Sequence, residues 1–199
     1  MMKIYITALI ITLIASVCNA QTRTDKIFAP QTPEWPATPP KSWTTYHLAH
    51  PGPWSKLTAD PNCAIFYKGR YHLFYICQIK RKHCFAHVSS TDMVHWKWHP
   101  TTLLPQKMGH QMFSGTAFLT KDGKPAIIYH GLGSGRNQIA FALDDNLDEW
   151  SKPIAIEPKT ADGKLAKMRH WDPDCWLMND SYYSIGGGKN LTLAKSKDL

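Results

Sequence analysis

A pattern of eleven residues, anchored by an Ala at its start and a Trp at its end, recurs in this 199-residue chain at a fixed offset, and that recurrence restricts the fold more than any other feature. Ala86-His87-Val88-Ser89-Ser90-Thr91-Asp92-Met93-Val94-His95-Trp96 aligns with Ala140 to Trp150 at an offset of 54, and Ser196-Lys197-Asp198-Leu199 opens the phrase a third time. Hairpin-like pairs keep the same time: Cys63 to Tyr75, Thr116 to Tyr129 and Cys175 to Ile185. Each is a pair of short apolar and aromatic runs parted by turn residues, and no helical period is sustained over three turns. One unit therefore reads as an inner hairpin, a third strand, and an Asp-x-x-x-Trp turn leading to an outer strand, with Asn146 at the Asp place in the second copy. A repeat of this length, built from about four short strands, is the mark of a propeller blade. A β-sandwich also spaces its strands closely, but gives no reason for Trp96 and Trp150 to recur in phase. On this reading the two tryptophans pack blades. Residues 54–199 are expected to be an all-β propeller domain of two and a half to three blades, the last repeat stopping before its Trp. Because a propeller closes with at least four blades, the chain is either part of a longer one or has its open edges covered in another way.

The first fifty residues read differently. Residues 1–20 have the form of a secretory signal: Lys3 near the start, an apolar run from Ile4 to Val17, and Cys18-Asn19-Ala20 as a small-residue cleavage site. The run is short for a membrane span, so no transmembrane segment is expected after cleavage, and the mature protein is predicted to be secreted or periplasmic. Cys18 suggests a lipoprotein anchor, against which stands the bulk of Val17. Residues 21–53 hold seven of the 14 prolines and read as an extended arm. Removing residues 1–20 takes away Lys3 and lowers the formal net charge from +8 to +7. The basic side chains lie in scattered short groups such as Lys80-Arg81-Lys82, so no nucleic-acid partner is expected. Cys63, Cys77, Cys84 and Cys175 remain, with three possible pairings or none. Cys84 with His83 and His87 lacks a second matching pair of ligands, and no metal site is expected.

Two further phrases carry chemistry. Asp60-Pro61-Asn62-Cys63 and Asp172-Pro173-Asp174-Cys175 stand 112 residues apart, each just before a strand-like run. Asp-Pro at the start of a strand is by itself a turn signal. At equivalent points of a repeated unit, however, two such acids can meet in one cleft, and two carboxylates in a cleft are the minimum equipment for cleaving a glycosidic bond.

These residues resemble glycoside hydrolase family 32, the invertases, levanases, inulinases and other β-fructosidases. Leu57 to Ile76, LTADPNCAIFYKGRYHLFYI, is similar to the family's WMNDPNG motif and the hairpin ending in HLFYQ that follows it. Ser89 to Trp96 is similar to STDLVHW, Phe113-Ser114-Gly115-Thr116 to FSGS, and Arg169 to Pro173 stands at the place of RDP. The resemblance implies a five-bladed β-propeller with the active site in its axial funnel and a retaining mechanism needing no metal or organic cofactor. It assigns Asp60 as nucleophile and Asp172 as transition-state stabiliser. Asn62, Phe113, Ser114, Arg169 and Trp171 would bind substrate, a fructan or a sucrose-like saccharide.

The departures from the family pattern fall around the sugar. Thr58-Ala59 precede the nucleophile, Cys63 replaces a Gly, Ile76 a Gln, and Trp171 the Arg of RDP, with Arg169 close by. The general acid of the family lies in a Glu-Cys motif roughly fifty residues after the second Asp, and none of Glu34, Glu149 and Glu157 occupies that place. Two alternatives follow. Trp171-Asp172-Pro173 with Tyr182-Tyr183 would suit the inverting family 43 enzymes of arabinan and xylan. A non-catalytic glycan-binding or decayed propeller would account for the missing acid.

Overall fold

The structure, a computed structural model, describes residues 58–168, 170–188 and 191–199. The expected signal, the proline arm and Arg169 lie outside the described residues. Among the described residues eleven strands fall into three antiparallel sheets. The first runs β1 (Thr58–Tyr67), β2 (Arg70–Ile79), β3 (Lys82–Ser90), β4 (Lys97–His99), and the second β5 (Gln111–Leu119), β6 (Pro125–Leu132), β7 (Arg136–Phe141), β8 (Ile154–Ala155). In the third, β10 (Ser181–Gly187) pairs with both β9 (Trp171–Met178) and β11 (Thr192–Ser196). Only α1 (Pro105–Met108), a single turn between the first two sheets, is helical among the described residues. Each sheet is a meander, and the first strands of successive sheets, β1, β5 and β9, stand side by side. This is the radial arrangement of propeller blades, as the repeat predicts.

Local chemistry explains the meanders. The turns at Lys68-Gly69, Lys80-Arg81 and Asn179-Asp180 hold both central residues at positive φ, between 46° and 78°. That is the two-residue turn whose twist matches paired strands. The recurring Asp-x-x-x-Trp turn is equally regular. In the first copy Asp92 Oδ1 accepts from the amides of Val94 and His95, and Trp96 Nε1 donates to Met93 O at 3.1 Å. In the second, Trp150 Nε1 donates to Leu147 O at 2.9 Å, and Met93 and Leu147 share a left-handed φ of 61° and 59°. The carboxylate differs from the sequence alignment: Asn146 stands at the Asp92 position, yet Asp144 accepts from the amides of Asp148 and Glu149. A carboxylate two residues earlier thus serves the equivalent pair of amides. In the third copy Ser196 Oγ donates to Asp198 Oδ1, as Ser90 Oγ does to Asp92.

Period-two alternation places each sheet between two layers of core. Phe74 and Ile76 face the second sheet, joining Phe85, Met112, Ile127, Tyr129 and Trp150. Their neighbours Tyr75 and Cys77 face the other way, with Cys84, Val88 and Trp98. Likewise Ile127 and Tyr129 face the first sheet, while Ala126 and Ile128 meet Cys175 and Tyr182 of the third. Burying an aromatic side chain of this kind is worth roughly 2–3 kcal/mol, so the inter-sheet layers hold the blades together. Trp150 packs in this core, at 5% exposure and edge-on to Phe74, which agrees with its expected packing role. Cys63, Cys77, Cys84 and Cys175 are buried thiols.

Candidate active site

The three innermost strands break their ladders, β1 twice and β5 and β9 once each, and those breaks make the cleft. In β1, Thr58 pairs with Cys77 and Pro61 with Tyr75, so Ala59 and Asp60 together oppose a single residue. In β5, Phe113 pairs with His130 and Gly115 with Tyr129, which leaves Ser114 extra. In β9, Trp171 pairs with Gly187 and Asp174 with Ile185, so Asp172 and Pro173 oppose Gly186 alone. A bulge turns a side chain out of the regular alternation and bends the strand. Asp60, Ser114 and Asp172 are thereby aimed into a cleft of about 560 Å³, lined also by Asn62, Cys63, Thr116 and Asp174.

Unusual backbone occurs at the second β1 break, where Cys63 and Ala64 oppose Leu73, and at the β9 bulge. Cys63 has φ 49° and Asp172 φ 45°, a region that an L side chain enters at a cost. A glycine in place of Cys63 would be relaxed there. Gly115 is required for a different reason: a Cβ on it would stand 1.9 Å from Ile128 O, so only glycine lets β5 pass this close to β6.

Hydrogen bonds fix the acids. Ser114 Oγ donates to Asp60 Oδ2 at 3.1 Å across the boundary between the first and second sheets. Thr116 Oγ1 donates to Asp174 Oδ1 at 2.7 Å across the next boundary, and the Cys175 amide reaches the same oxygen at 2.8 Å. Asn62 Nδ2 donates to the main-chain oxygen of Asp60 at 3.1 Å, while its buried Oδ1 has no hydrogen-bond partner. Burial pushes the Cys63 thiol well above its ordinary pKa, which keeps it neutral and unreactive on the cleft wall.

Of the residues singled out in the sequence, Asp60, Asn62, Ser114 and Asp172 meet in the cleft. Phe113 and Trp171 do not line it. Trp171, 47% exposed, sits next to Asp172 and stacks on His130 at 5.0 Å and on Phe113 at 6.0 Å. They form an aromatic rim rather than a wall. Thr116 and Asp174 were missed by motif reasoning. The available signal was spacing, since Asp172 and Asp174 stand two residues apart on one strand. Glu149 and Glu157 are exposed and line no part of the cleft.

Radially arranged meanders whose innermost strands deliver carboxylates to one cleft define an all-β propeller with the equipment of a glycosidase. Within that class the chain belongs to the glycosyl hydrolases of family 32: residues 50–199 match the family's N-terminal domain. Over 163 residues it is 30% identical to an insoluble β-fructofuranosidase isoenzyme of Arabidopsis thaliana, covering 74% of this chain and 27% of that protein. A sucrose-6-phosphate hydrolase of Salmonella typhimurium is also 30% identical, covering 73% of this chain and 33% of that protein. The crystal structure of fructan 1-exohydrolase IIa from Cichorium intybus in complex with 1-kestose superposes with a TM-score of 0.58 at 25% identity, over 78% of this chain and 32% of that one. The chain thus spans about a third or less of the length of these relatives. Family 43 is displaced by the match. Tyr182 and Tyr183, which favoured that family, are away from the cleft, Tyr182 bonded to the Lys121 amide and Tyr183 stacked on Trp176. Among the described residues no helix is long and apolar enough to cross a membrane.

Proposed function

We propose that this chain carries the nucleophile and the transition-state stabiliser of a retaining glycosidase acting on β-fructosidic bonds of sucrose, levan or inulin type. Asp60 attacks the anomeric carbon of a fructosyl unit, and water later releases the sugar from the resulting ester. Ser114, bonded to one oxygen of Asp60, orients the carboxylate for that attack. Asp172 faces the positive charge that develops on the ring, and Asn62 Oδ1 accepts from a sugar hydroxyl. Trp171 offers its exposed face as a stacking platform at the rim, where the family's Arg is absent. Residues 54–199 act as the catalytic propeller portion. Residues 1–20, with Lys3 ahead of an apolar run, direct export to the periplasm or beyond.

The observation that carries the reading is the convergence of Asp60 and Asp172 on one cleft from bulges in different blades. Departure of the aglycone needs a proton donor unless the leaving group is already a stable anion. The decisive substrate is therefore a β-fructofuranoside of an acidic phenol, assayed for phenol release by the 199-residue chain. Turnover is expected, and Asp60→Asn should abolish it. Equal rates in wild type and Asp60→Asn would remove Asp60 as nucleophile.

A second reading, a glycan-binding propeller without turnover, is favoured by one observation: among the described residues no glutamate lines the cleft. Calorimetry with sucrose, levan and inulin separates the two, since heat of binding without any product supports the second.

A further inference from the structure

A cluster of imidazoles lies outside the cleft, at the joint between the first two sheets. We propose that His87, His99 and Asp148 form a binding site for a divalent transition-metal ion of the zinc class, clamping the first blade to the turn that follows β7 in the second. His87 on β3 and His99 on β4 are direct cross-strand partners, and they are 0% and 4% exposed. Asp148 enters from the second blade. Its Oδ1 stands 2.9 Å from His99 Nδ1 and 3.2 Å from His87 Nδ1, and one ligand atom from each of the three residues lies within 4.8 Å of the others. Ligands about 2.1 Å from a tetrahedral ion are about 3.4 Å apart, so small side-chain rotations bring the three into one shell, whose fourth place a water would fill.

The far side of each ring is already engaged. His87 Nε2 lies 3.0 Å from His72 Nδ1, and His99 Nε2 lies 2.6 Å from Ser89 Oγ, which itself accepts from Arg70 Nε at 2.9 Å. Metal-binding histidines are usually oriented by such a partner on the second nitrogen. The near side is where something is lacking: His87 Nδ1 is buried beside the carboxylate yet makes no hydrogen bond. When His87 Nε2 donates to His72 Nδ1, Nδ1 of His87 presents a lone pair to a carboxylate oxygen 3.2 Å away, and the two repel unless a cation lies between them. Two imidazoles and one carboxylate suit zinc, cobalt or nickel far better than calcium or magnesium. None of the three lines the cleft, so the ion is structural and takes no part in the reaction.

The test is titration of the chelator-treated 199-residue chain with Co²⁺, read by visible absorption. The expected result is a tetrahedral cobalt band that saturates at one equivalent and is displaced by Zn²⁺. Excess Zn²⁺ should also raise Tm, by roughly 5 °C or more at a hundredfold excess over Kd. His99→Gln and Asp148→Asn should lose the band, while His95→Ala, which alters an exposed surface histidine, should keep it. Absence of the band and of any Tm shift in the wild type overturns the proposal, whether or not the variants fold. A band of equal strength in His99→Gln and Asp148→Asn overturns it as well.

Discussion

Replacing Gly115 by alanine adds one methyl group where β5 passes β6, and the structure says it cannot be housed. The new carbon would stand 1.9 Å from Ile128 O and 2.6 Å from Tyr129 Cα. Carbon and carbonyl oxygen ordinarily meet at about 3.3 Å, so the strands must part by more than 1 Å. Both obstructing atoms are main chain, held in a ladder that runs from Gln111↔Leu132 to Leu119↔Pro125, and no rotamer change relieves the overlap. Such a substitution belongs to the exceptional class costing about 4 kcal/mol or more. With a urea m-value of roughly 2 kcal/mol/M, the midpoint should fall by about 2 M, or the variant should fail to fold in buffer. Tryptophan fluorescence in urea reads the transition. Gly123→Ala is the control: that residue has φ +75° with nothing within 4 Å, so alanine there meets only the left-handed penalty of about 1 kcal/mol. A midpoint for Gly115→Ala as high as that for Gly123→Ala would refute the close-approach argument, and with it the account of how Ser114 is turned toward Asp60.

Cys63, at φ 49° and 1% exposure, combines backbone strain with useful burial. Cys63→Gly should therefore stay within about 1 kcal/mol of wild type, while Cys63→Val, β-branched in a left-handed position, should cost about 2 kcal/mol or more, as chemical denaturation would report. Trp150 and Trp96 fill equivalent places in the repeat, but Trp150 is buried and Trp96 half-buried. Trp150→Ala should cost about 3–5 kcal/mol and Trp96→Ala clearly less, and equal losses would contradict the blade packing described. Burial is the largest cause of the lowered pKa values of His110 and His130. Their folded values lie below the unfolded value near 6.5, so the unfolded chain binds more protons in between. Stability should be fully present above about pH 6.5 and decline as pH falls below it. His130→Gln should flatten part of that decline in urea midpoints measured against pH.

The recurrence at offset 54 predicts the blades because a blade is a local object. Turn residues such as Lys68-Gly69, the alternation of Phe74 and Ile76 with Tyr75 and Cys77, and the Met93-to-Trp96 turn all act over a few positions. They are therefore written in adjacent residues. The resemblance in the DPN, FSGT and RHWDP phrases likewise singles out Asp60, Asn62, Ser114 and Asp172 from sequence alone. Phe113 and Trp171, also singled out by the motifs, stack with His130 at the rim and not on the cleft wall, and the motifs passed over Thr116 and Asp174.

What the order of residues could not express is the one-residue slippage in β1, β5 and β9 that turns Asp60, Ser114 and Asp172 inward. A bulge depends on which residue the partner strand presents, and Gly115 clears Ile128 only once β6 lies beside it. The same holds for His87, His99 and Asp148. The two histidines become neighbours through strand pairing, and the carboxylate arrives from another blade 49 residues beyond His99. Short-range preference sets turns and strands, but which side chains share a cleft or a buried joint is decided by packing between sheets, where residues far apart in the chain are first brought within reach of one another.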